Sequence, residues 1–146
     1  TSSWSVYKSV KAGTCSMMDT GASPNATYIY TVKAYHSYVW SSYSSGGASA
    51  YRVPDATFVS VRSDAKRSVY VKWKKLSGIT GYQLQRSYDA SFCEYRAVNL
   101  SGSAMDRTMK YLTPGKTCYV RIRCYKKSGG KVYYGAWSTV KKIKVR

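Results

Sequence analysis

The sequence predicts an all-β chain that folds as an antiparallel β-sandwich. Tyr alone contributes 16 of the 146 residues, and Val, Thr and Trp are also frequent, which is typical of strands. Apolar and polar residues alternate over short stretches in the C-terminal two thirds of the chain, as half-buried strands require. Gly and Pro residues separate these stretches at regular intervals, and such punctuation favours a sandwich of about seven strands.

An internal repeat divides the chain. Residues 22–35 match residues 112–125 without a gap, and residues 4–10 match residues 92–98 after a shift of two positions. Residues 54–91 carry strand patterns that have no counterpart before Trp4. We therefore predict a complete module at residues 54–146, preceded at residues 1–53 by the C-terminal half of another. Pro54 marks the junction, because proline ends a strand.

The alternation within the second copy predicts which residues form its core. In the strand at residues 69–73, the side chains of Val69, Val71 and Trp73 share one face. A later strand places four further candidates on one face: Cys118, Val120, Ile122 and Cys124. Residues 128–131 predict a hairpin turn, since the glycines there can adopt a positive φ. The last strand is predicted at residues 140–145.

Three strings carry a family resemblance. They begin at Val71, Gly81 and Leu112, and they read Val-x-Trp, Gly-Tyr-x-Leu-x-Arg-Ser and Leu-x-Pro-Gly-x-x-x-x-Val-x-Ile. They resemble fibronectin type III modules, and residues 131–138 are similar to versions from secreted or wall-attached surface proteins of Gram-positive bacteria. The resemblance implies an immunoglobulin-like sandwich at residues 54–146, the back half of a second one at residues 1–53, and an extracellular location.

The family's tyrosine corner is implied for the first copy only. Its tyrosine, whose hydroxyl ties a strand to the preceding corner, corresponds to Tyr28, while Cys118 occupies the same place in the second copy. We therefore expect the corner to be lost in the second copy. We expect Tyr119 not to replace it, because this side chain faces outward.

The family also stacks strand arginines on a later tryptophan. The resemblance implies such a cation–π ladder from Arg121, Arg123 and Trp137, and a poorer one from Lys33 and the segment that begins at Trp40, since lysine lacks the planar guanidinium group. The ladder either stiffens the sheet, which is the favoured interpretation, or serves as a ligand platform.

The titratable residues predict neither an enzyme nor a metal or cofactor site. His36 is the only histidine, and six carboxylates stand singly in predicted turns: Asp19, Asp55, Asp64, Asp89, Glu94 and Asp106. The four cysteines are too irregularly spaced for a disulfide framework. We expect them to be buried free thiols.

The formal net charge of +18 predicts attraction to anionic surfaces and polymers. A candidate basic and aromatic binding face combines eight residues near the C-terminus: Lys126, Lys127, Lys131, Tyr133, Tyr134, Lys141, Lys142 and Lys144. Its ligand would be an anionic cell-wall polymer or glycan, with nucleic acid less expected. The alternative is a solvated surface that protects edge strands and maintains solubility. No stretch is apolar over the length needed to span a bilayer.

The favoured function is a non-catalytic extracellular spacer or adhesion module that makes protein–protein or cell-surface contacts. The alternative is an accessory domain of a secreted cell-wall or carbohydrate hydrolase, which would bind anionic polymer or glycan through the basic face. An isolated half-module would expose the core-facing residues Tyr28, Tyr30, Val32 and Ala34. We therefore expect another protein chain, or a second copy, to complete residues 1–53.

Overall fold

The computed structural model describes residues 3–146, in which every regular element is a β-strand and every sheet is antiparallel. None of these residues belongs to a helix that could cross a membrane. Four short strands come first: β1 (Thr27–Tyr30), β2 (Tyr35–His36), β3 (Val39–Trp40) and β4 (Ala48–Tyr51). Strand β1 pairs with β4, and β2 pairs with β3. We call residues 3–53 the N-terminal segment.

The rest of the chain forms two facing sheets, which we call the sandwich. Its strands are β5 (Phe58–Arg62), β6 (Val69–Trp73), β7 (Gly81–Ser87), β8 (Arg96–Ser101), β9 (Asp106–Met109), β10 (Thr117–Ser128), β11 (Lys131–Tyr134) and β12 (Lys141–Lys144). One sheet has the order β5-β6-β9. In the other, β10 lies between β7 and the two strands β11 and β12, and β8 forms the far edge. The predicted antiparallel sandwich is confirmed.

The core lies between the two sheets and follows the predicted alternation. Val69, Val71 and Trp73 are buried on β6, and the four predicted residues of β10 are fully buried opposite them. Leu84 of β7 and Val145 complete the packing. The outward side chains of β10 are only partly covered, so this strand is apolar on one face alone, as its period of two requires.

The C-terminal hairpin turns at Gly129 and Gly130, which have φ values of 55° and 74°. Positive φ at both central residues matches the twist of the flanking strands. The chain leaves the sheet after β11 and returns as β12 on the other half of β10. It leaves where Gly135 passes Pro54 so closely that an added Cβ would lie 2.9 Å from the Pro54 carbonyl oxygen. Strand β12 is one residue shorter at each end than the predicted strand at residues 140–145.

The N-terminal segment buries far less of its apolar surface. Tyr28 and Tyr30 are half-buried, but Val32 is 72% exposed and Ala34 is also exposed. Ile122 is the residue of the sandwich that matches Val32 in the repeat, and it is completely buried. The repeated sequence therefore forms a closed core once and an open face once.

Candidate binding surfaces

Five side chains form a continuous stack on the outer face of the larger sheet. The guanidinium carbon of Arg121 lies 4.1 Å from the ring centre of Phe92 and 4.4 Å from that of Trp137. That of Arg123 lies 4.3 Å from Trp137 and 3.8 Å from Tyr134. Trp137 is thus held between two cations. The order Phe92, Arg121, Trp137, Arg123, Tyr134 defines what we call the cation–π stack.

Hydrogen bonds from β7 hold the two arginines in place. The Nε of Arg121 donates to Oε1 of Gln85 at 2.8 Å, and two nitrogens of Arg123 donate to Oε1 of Gln83. Gln83 in turn donates to Asn99 on β8. Burial lowers the pKa of Arg123. Each guanidinium group therefore contacts two aromatic rings and is hydrogen-bonded to a glutamine. These contacts favour a stiffening role for the stack.

A smaller arrangement of the same kind occurs in the N-terminal segment. The Nζ of Lys33 lies 4.3 Å from the ring centre of Trp40 and 4.9 Å from that of Tyr43. Trp40 remains 50% exposed, so its ring offers an accessible aromatic surface that Trp137 does not.

Each copy of the repeat has a tyrosine that ties its corner. The hydroxyl of Tyr28 accepts a hydrogen bond from the Ser23 N–H at 2.8 Å. In the sandwich, the equivalent N–H of Thr113 donates to the hydroxyl of Tyr88, also at 2.8 Å. The expected loss of the corner was therefore wrong: Cys118 is buried in place of the family's tyrosine, and Tyr88 reaches the same N–H from the end of β7.

The eight residues of the candidate basic face lie on two sides of the sheet. Directly paired residues of neighbouring strands point to the same side of a sheet. The partner of each residue on β10 therefore shows which side that residue lies on. The side that faces the core carries Lys126, Lys131, Tyr133 and Lys141. The outer side carries Lys127, Tyr134, Lys142 and Lys144. Lys131 and Lys144 pair with opposite ends of β10, roughly 36 Å apart along the strand.

Two of the aromatic residues in that set have contacts of their own. Tyr134 belongs to the cation–π stack. Tyr133 packs against the core and lies 6.1 Å from the ring of Tyr51 in the N-terminal segment. The lysines are therefore spread around one edge of the sandwich, and the exposed aromatic ring among them, that of Tyr134, is stacked on Arg123.

Asp19 and Asp55 serve local structure. Asp19 accepts hydrogen bonds from the Tyr30 hydroxyl at 2.7 Å and from the Gly21 N–H at 2.8 Å, and the bond to Asp19 raises the pKa of Tyr30 to about 12. Asp55 pairs with Arg52 at 2.9 Å. His36 lies on β2 opposite Val39. Within residues 3–146, no group of three His, Cys, Asp or Glu side chains could hold a metal ion.

The four cysteines are free thiols in two different environments. Cys118 and Cys124 are buried, and burial raises the pKa of both thiols, that of Cys124 to about 12. Cys15 and Cys93 are exposed, so the expectation that all four would be buried was wrong. Neither exposed residue lies in a strand, where alternation would have predicted its burial.

Polar and aromatic contacts join the N-terminal segment to the sandwich. The side-chain amide of Asn25 donates to the Ser77 carbonyl, and the Tyr51 hydroxyl donates to the Gly78 carbonyl. Val53, only two residues after β4, is 2% exposed within the sandwich core. The two parts therefore meet without a free linker, at the turn between β6 and β7.

Neither a family model nor a curated protein matches the sequence. Solved structures do match the fold. The fn3 domain of human contactin 1 is 14% identical with a TM-score of 0.54, over 64% of this chain and 77% of that one. The fn3 domain of human collagen alpha-1(XX) is 16% identical with a TM-score of 0.53, over 70% of this chain and 91% of that one. The sandwich has the fibronectin type III fold.

A structure of several such domains matches a longer part of the chain. The FN1–FN3 domains of chicken CNTN1 are 22% identical with a TM-score of 0.51, over 89% of this chain and 44% of that one. That coverage exceeds residues 54–146 and extends into the N-terminal segment. Identities this low establish the fold alone. Any function of a chain with this fold has to be argued from its own residues.

Sequence reasoning missed three residues of these arrangements. Phe92 and Tyr88 lie in or beside the turn between β7 and β8, far along the chain from the partners they contact. Tyr134 was assigned to the basic face although it lies on Arg123. The repeat could have indicated the role of Phe92, because Phe92 aligns with Trp4. The ring of Trp4 lies 6.0 Å from that of Tyr43, which contacts Lys33 in the N-terminal segment.

Proposed function

We propose that the chain is part of an extracellular tandem array of fibronectin type III modules. Residues 54–146 are a non-catalytic spacer and adhesion module, and residues 1–53 are the C-terminal half of the module before it. The array belongs to a surface or secreted protein of the Gram-positive type. The proposal is carried by one observation, the open apolar face of the N-terminal segment.

That face consists of residues whose counterparts in the sandwich are covered. Val32 is 72% exposed and Ala34 is also exposed, whereas their counterparts Ile122 and Cys124 are fully buried. Exposed apolar groups of this kind are normally covered by another part of the same protein or by a partner. The unpaired edges of β1 and β4 support the same conclusion, since a free edge invites a further strand.

The non-catalytic part of the proposal is supported by how the polar groups are used. Asp19, Asp55 and Asp89 accept hydrogen bonds that order nearby loops. The arginines of the cation–π stack are bonded to glutamines and stacked on aromatic rings. Side chains bound in this way hold a scaffold in shape, which is what a spacer between binding sites requires.

Self-association tests the proposal. If a second copy completes the N-terminal segment, the chain should form dimers in sedimentation equilibrium, and Val32→Lys should shift it toward monomer by about tenfold in the dissociation constant. The matched control is Val132→Lys, a 45% exposed valine on β11, which should leave the dimer unchanged. A wild-type chain that stays monomeric and fully protected from hydrogen exchange in residues 3–53 would refute the proposal.

A second candidate function is an accessory module of a secreted hydrolase that binds anionic wall polymer or glycan. The net charge of +18 and the outer-side lysines Lys127, Lys142 and Lys144 favour it. Retention on an immobilised anionic polymer should then fall as salt rises, because exposed charges are screened within about 10 Å at 0.1 M salt. Retention that Lys142→Glu/Lys144→Glu leaves unchanged would exclude these lysines as the site.

A further inference from the structure

A groove opens between the free edges of β8 and β9, at the side of the sandwich opposite β12. Each of these strands is the last of its sheet: β8 pairs only with β7, and β9 pairs only with β6, among the described strands. The groove has a volume of about 480 Å³. Its lining residues are Leu84, Arg86, Arg96, Ala97, Val98, Arg107, Thr108, Met109, Lys110 and Tyr111.

Three arginines face into this groove from both sheets. Arg86 and Arg96 are directly paired on β7 and β8, on the side of that sheet that carries Leu84 and Val98. Arg107 on β9 pairs with Val71, whose side chain is in the core, so Arg107 also lies on the inner side. Like charges in directly paired positions repel each other. A ligand that brings negative charge between them would relieve that repulsion.

No carboxylate lines the groove to supply this charge. Within the described part of the chain, ion pairs join Arg52 to Asp55 and Arg62 to Asp64, and none of the groove's cations takes part in one. Arg86 is half-buried, so its charge is screened less by solvent than that of a fully exposed residue. The groove is therefore a concentrated positive site without an internal counter-charge.

The floor of the groove is apolar. Leu84 is 1% exposed and Met109 is 9% exposed, and Val98 is half-buried between them and the rim. On the inner side of β8, Arg96 comes first and the apolar residues Val98 and Leu100 follow it. The arginines and the apolar floor therefore lie on the same side of the sheets, and an occupant that matches the site needs carboxylates on the side that faces them.

We propose that this groove binds an extended acidic peptide as an added strand on the free edge of β8, with its carboxylates on the side of the peptide that faces the groove. Main-chain hydrogen bonds to an exposed edge are a common mode of peptide recognition, and in a strand every second side chain points to the same side. The carboxylates pair with Arg96 and Arg107, since guanidinium groups bind carboxylates in a bidentate manner. The inference goes beyond the proposed function and does not depend on a tandem array.

Fluorescence anisotropy with the full chain tests this inference. The probe is a fluorescein-labelled peptide that alternates valine with glutamate, and the reference is a peptide of the same composition with all glutamates in one block. The alternating peptide should bind more tightly. Arg96→Glu/Arg107→Glu should weaken its binding by at least about tenfold, because each arginine contributes a charge-assisted hydrogen bond.

The matched control is Lys74→Glu/Lys75→Glu, which changes the net charge equally at two exposed residues that do not line the groove, and it should alter binding by less than about threefold. Thermal unfolding of both double variants checks that they remain folded. Equal losses in the two variants, or equal binding of the two peptides, would overturn the inference, because either result means attraction to net charge alone. Inorganic polyphosphate that binds as tightly, with the same dependence on Arg96 and Arg107, would also overturn it in favour of a phosphate polymer.

Discussion

The hydroxyl of Tyr88 accepts a hydrogen bond from the backbone N–H of Thr113 at 2.8 Å, across 25 positions of the chain. The first copy makes the equivalent bond between Tyr28 and Ser23, across five positions. The N–H at the corner is the shared element, and the tyrosine that serves it differs. The ring centre of Tyr88 also lies 5.9 Å from the cationic groups of both Arg86 and Lys116.

Tyr88→Phe removes this hydroxyl and keeps the ring. We expect the free energy of unfolding to fall by about 1 kcal/mol, since a neutral hydrogen bond contributes about that much and the freed N–H can bind water. Urea unfolding monitored by tryptophan fluorescence measures the change. Tyr111→Phe is the control, because Tyr111 is 85% exposed and should show no change. Equal stability of Tyr88→Phe and the wild type would mean that the bond holds the corner without stabilising it.

Trp137→Ala should destabilise the sandwich by about 2–3 kcal/mol. The substitution removes two cation–π contacts and the apolar contacts of a half-buried indole. Trp40→Ala is the matched variant in the first copy and should change the unfolding of the sandwich much less, since its ring contacts Lys33 outside it. Chemical denaturation followed by far-ultraviolet circular dichroism measures both. A smaller loss for Trp137→Ala than for Trp40→Ala would contradict the stiffening role of the stack.

Thiol reactivity should divide the four cysteines into two pairs. In the native chain, Cys15 and Cys93 should react with Ellman's reagent within seconds to minutes, because both are exposed. Cys118 and Cys124 should react only when the sandwich opens, since both are buried and burial raises their pKa. Titration without and with denaturant counts the thiols. Four fast thiols in the native chain would mean that β10 is not closed over the core.

Stability should decrease with rising pH above about 9, in part because of Cys124. Its thiol titrates at about 12 in the folded chain, and an unfolded thiol titrates near 8.5. Between these values the unfolded state binds fewer protons, so its free energy falls relative to the folded state by up to about 1.4 kcal/mol per pH unit. The contribution of the Cys124 thiol to the free energy of unfolding is fully present below pH 8 and is lost as the pH approaches 12.

The variant Cys124→Ala isolates this contribution, and the first copy already has Ala34 at that position. Melting temperatures from pH 8 to pH 11 should fall less steeply in Cys124→Ala than in the wild type, whatever their difference at pH 8. Ile122→Val, which changes a buried side chain of the same strand that does not titrate, should retain the wild-type slope. Identical slopes for Cys124→Ala and the wild type would exclude a raised thiol pKa.

The core could be predicted from the sequence because a strand repeats every two residues. That rule correctly assigned Val69, Val71 and Trp73, and it assigned the buried face of β10 without knowledge of its partners. The turn at Gly129 and Gly130 could also be predicted, because it depends on the two glycines themselves. Each of these depends on a few neighbouring residues and on nothing elsewhere in the chain.

The surfaces could not be predicted in the same way, because they depend on which strands become neighbours. Lys131 and Lys144 were both assigned to one basic face, yet their strands pair with opposite ends of β10. The groove brings together Arg86, Arg96 and Arg107 from three strands and two sheets. No spacing in the sequence joins these three residues, so only the order of the strands reveals them.

Val53 has a mechanical consequence. It follows β4 almost directly, yet its side chain is inserted in the sandwich core, and the ion pair of Arg52 with Asp55 spans it. A pull transmitted through β4 would be resisted by the burial of Val53, because no slack chain lies between that strand and the core. The connection would therefore transmit force as a stiff coupling and would not absorb it as a flexible linker does.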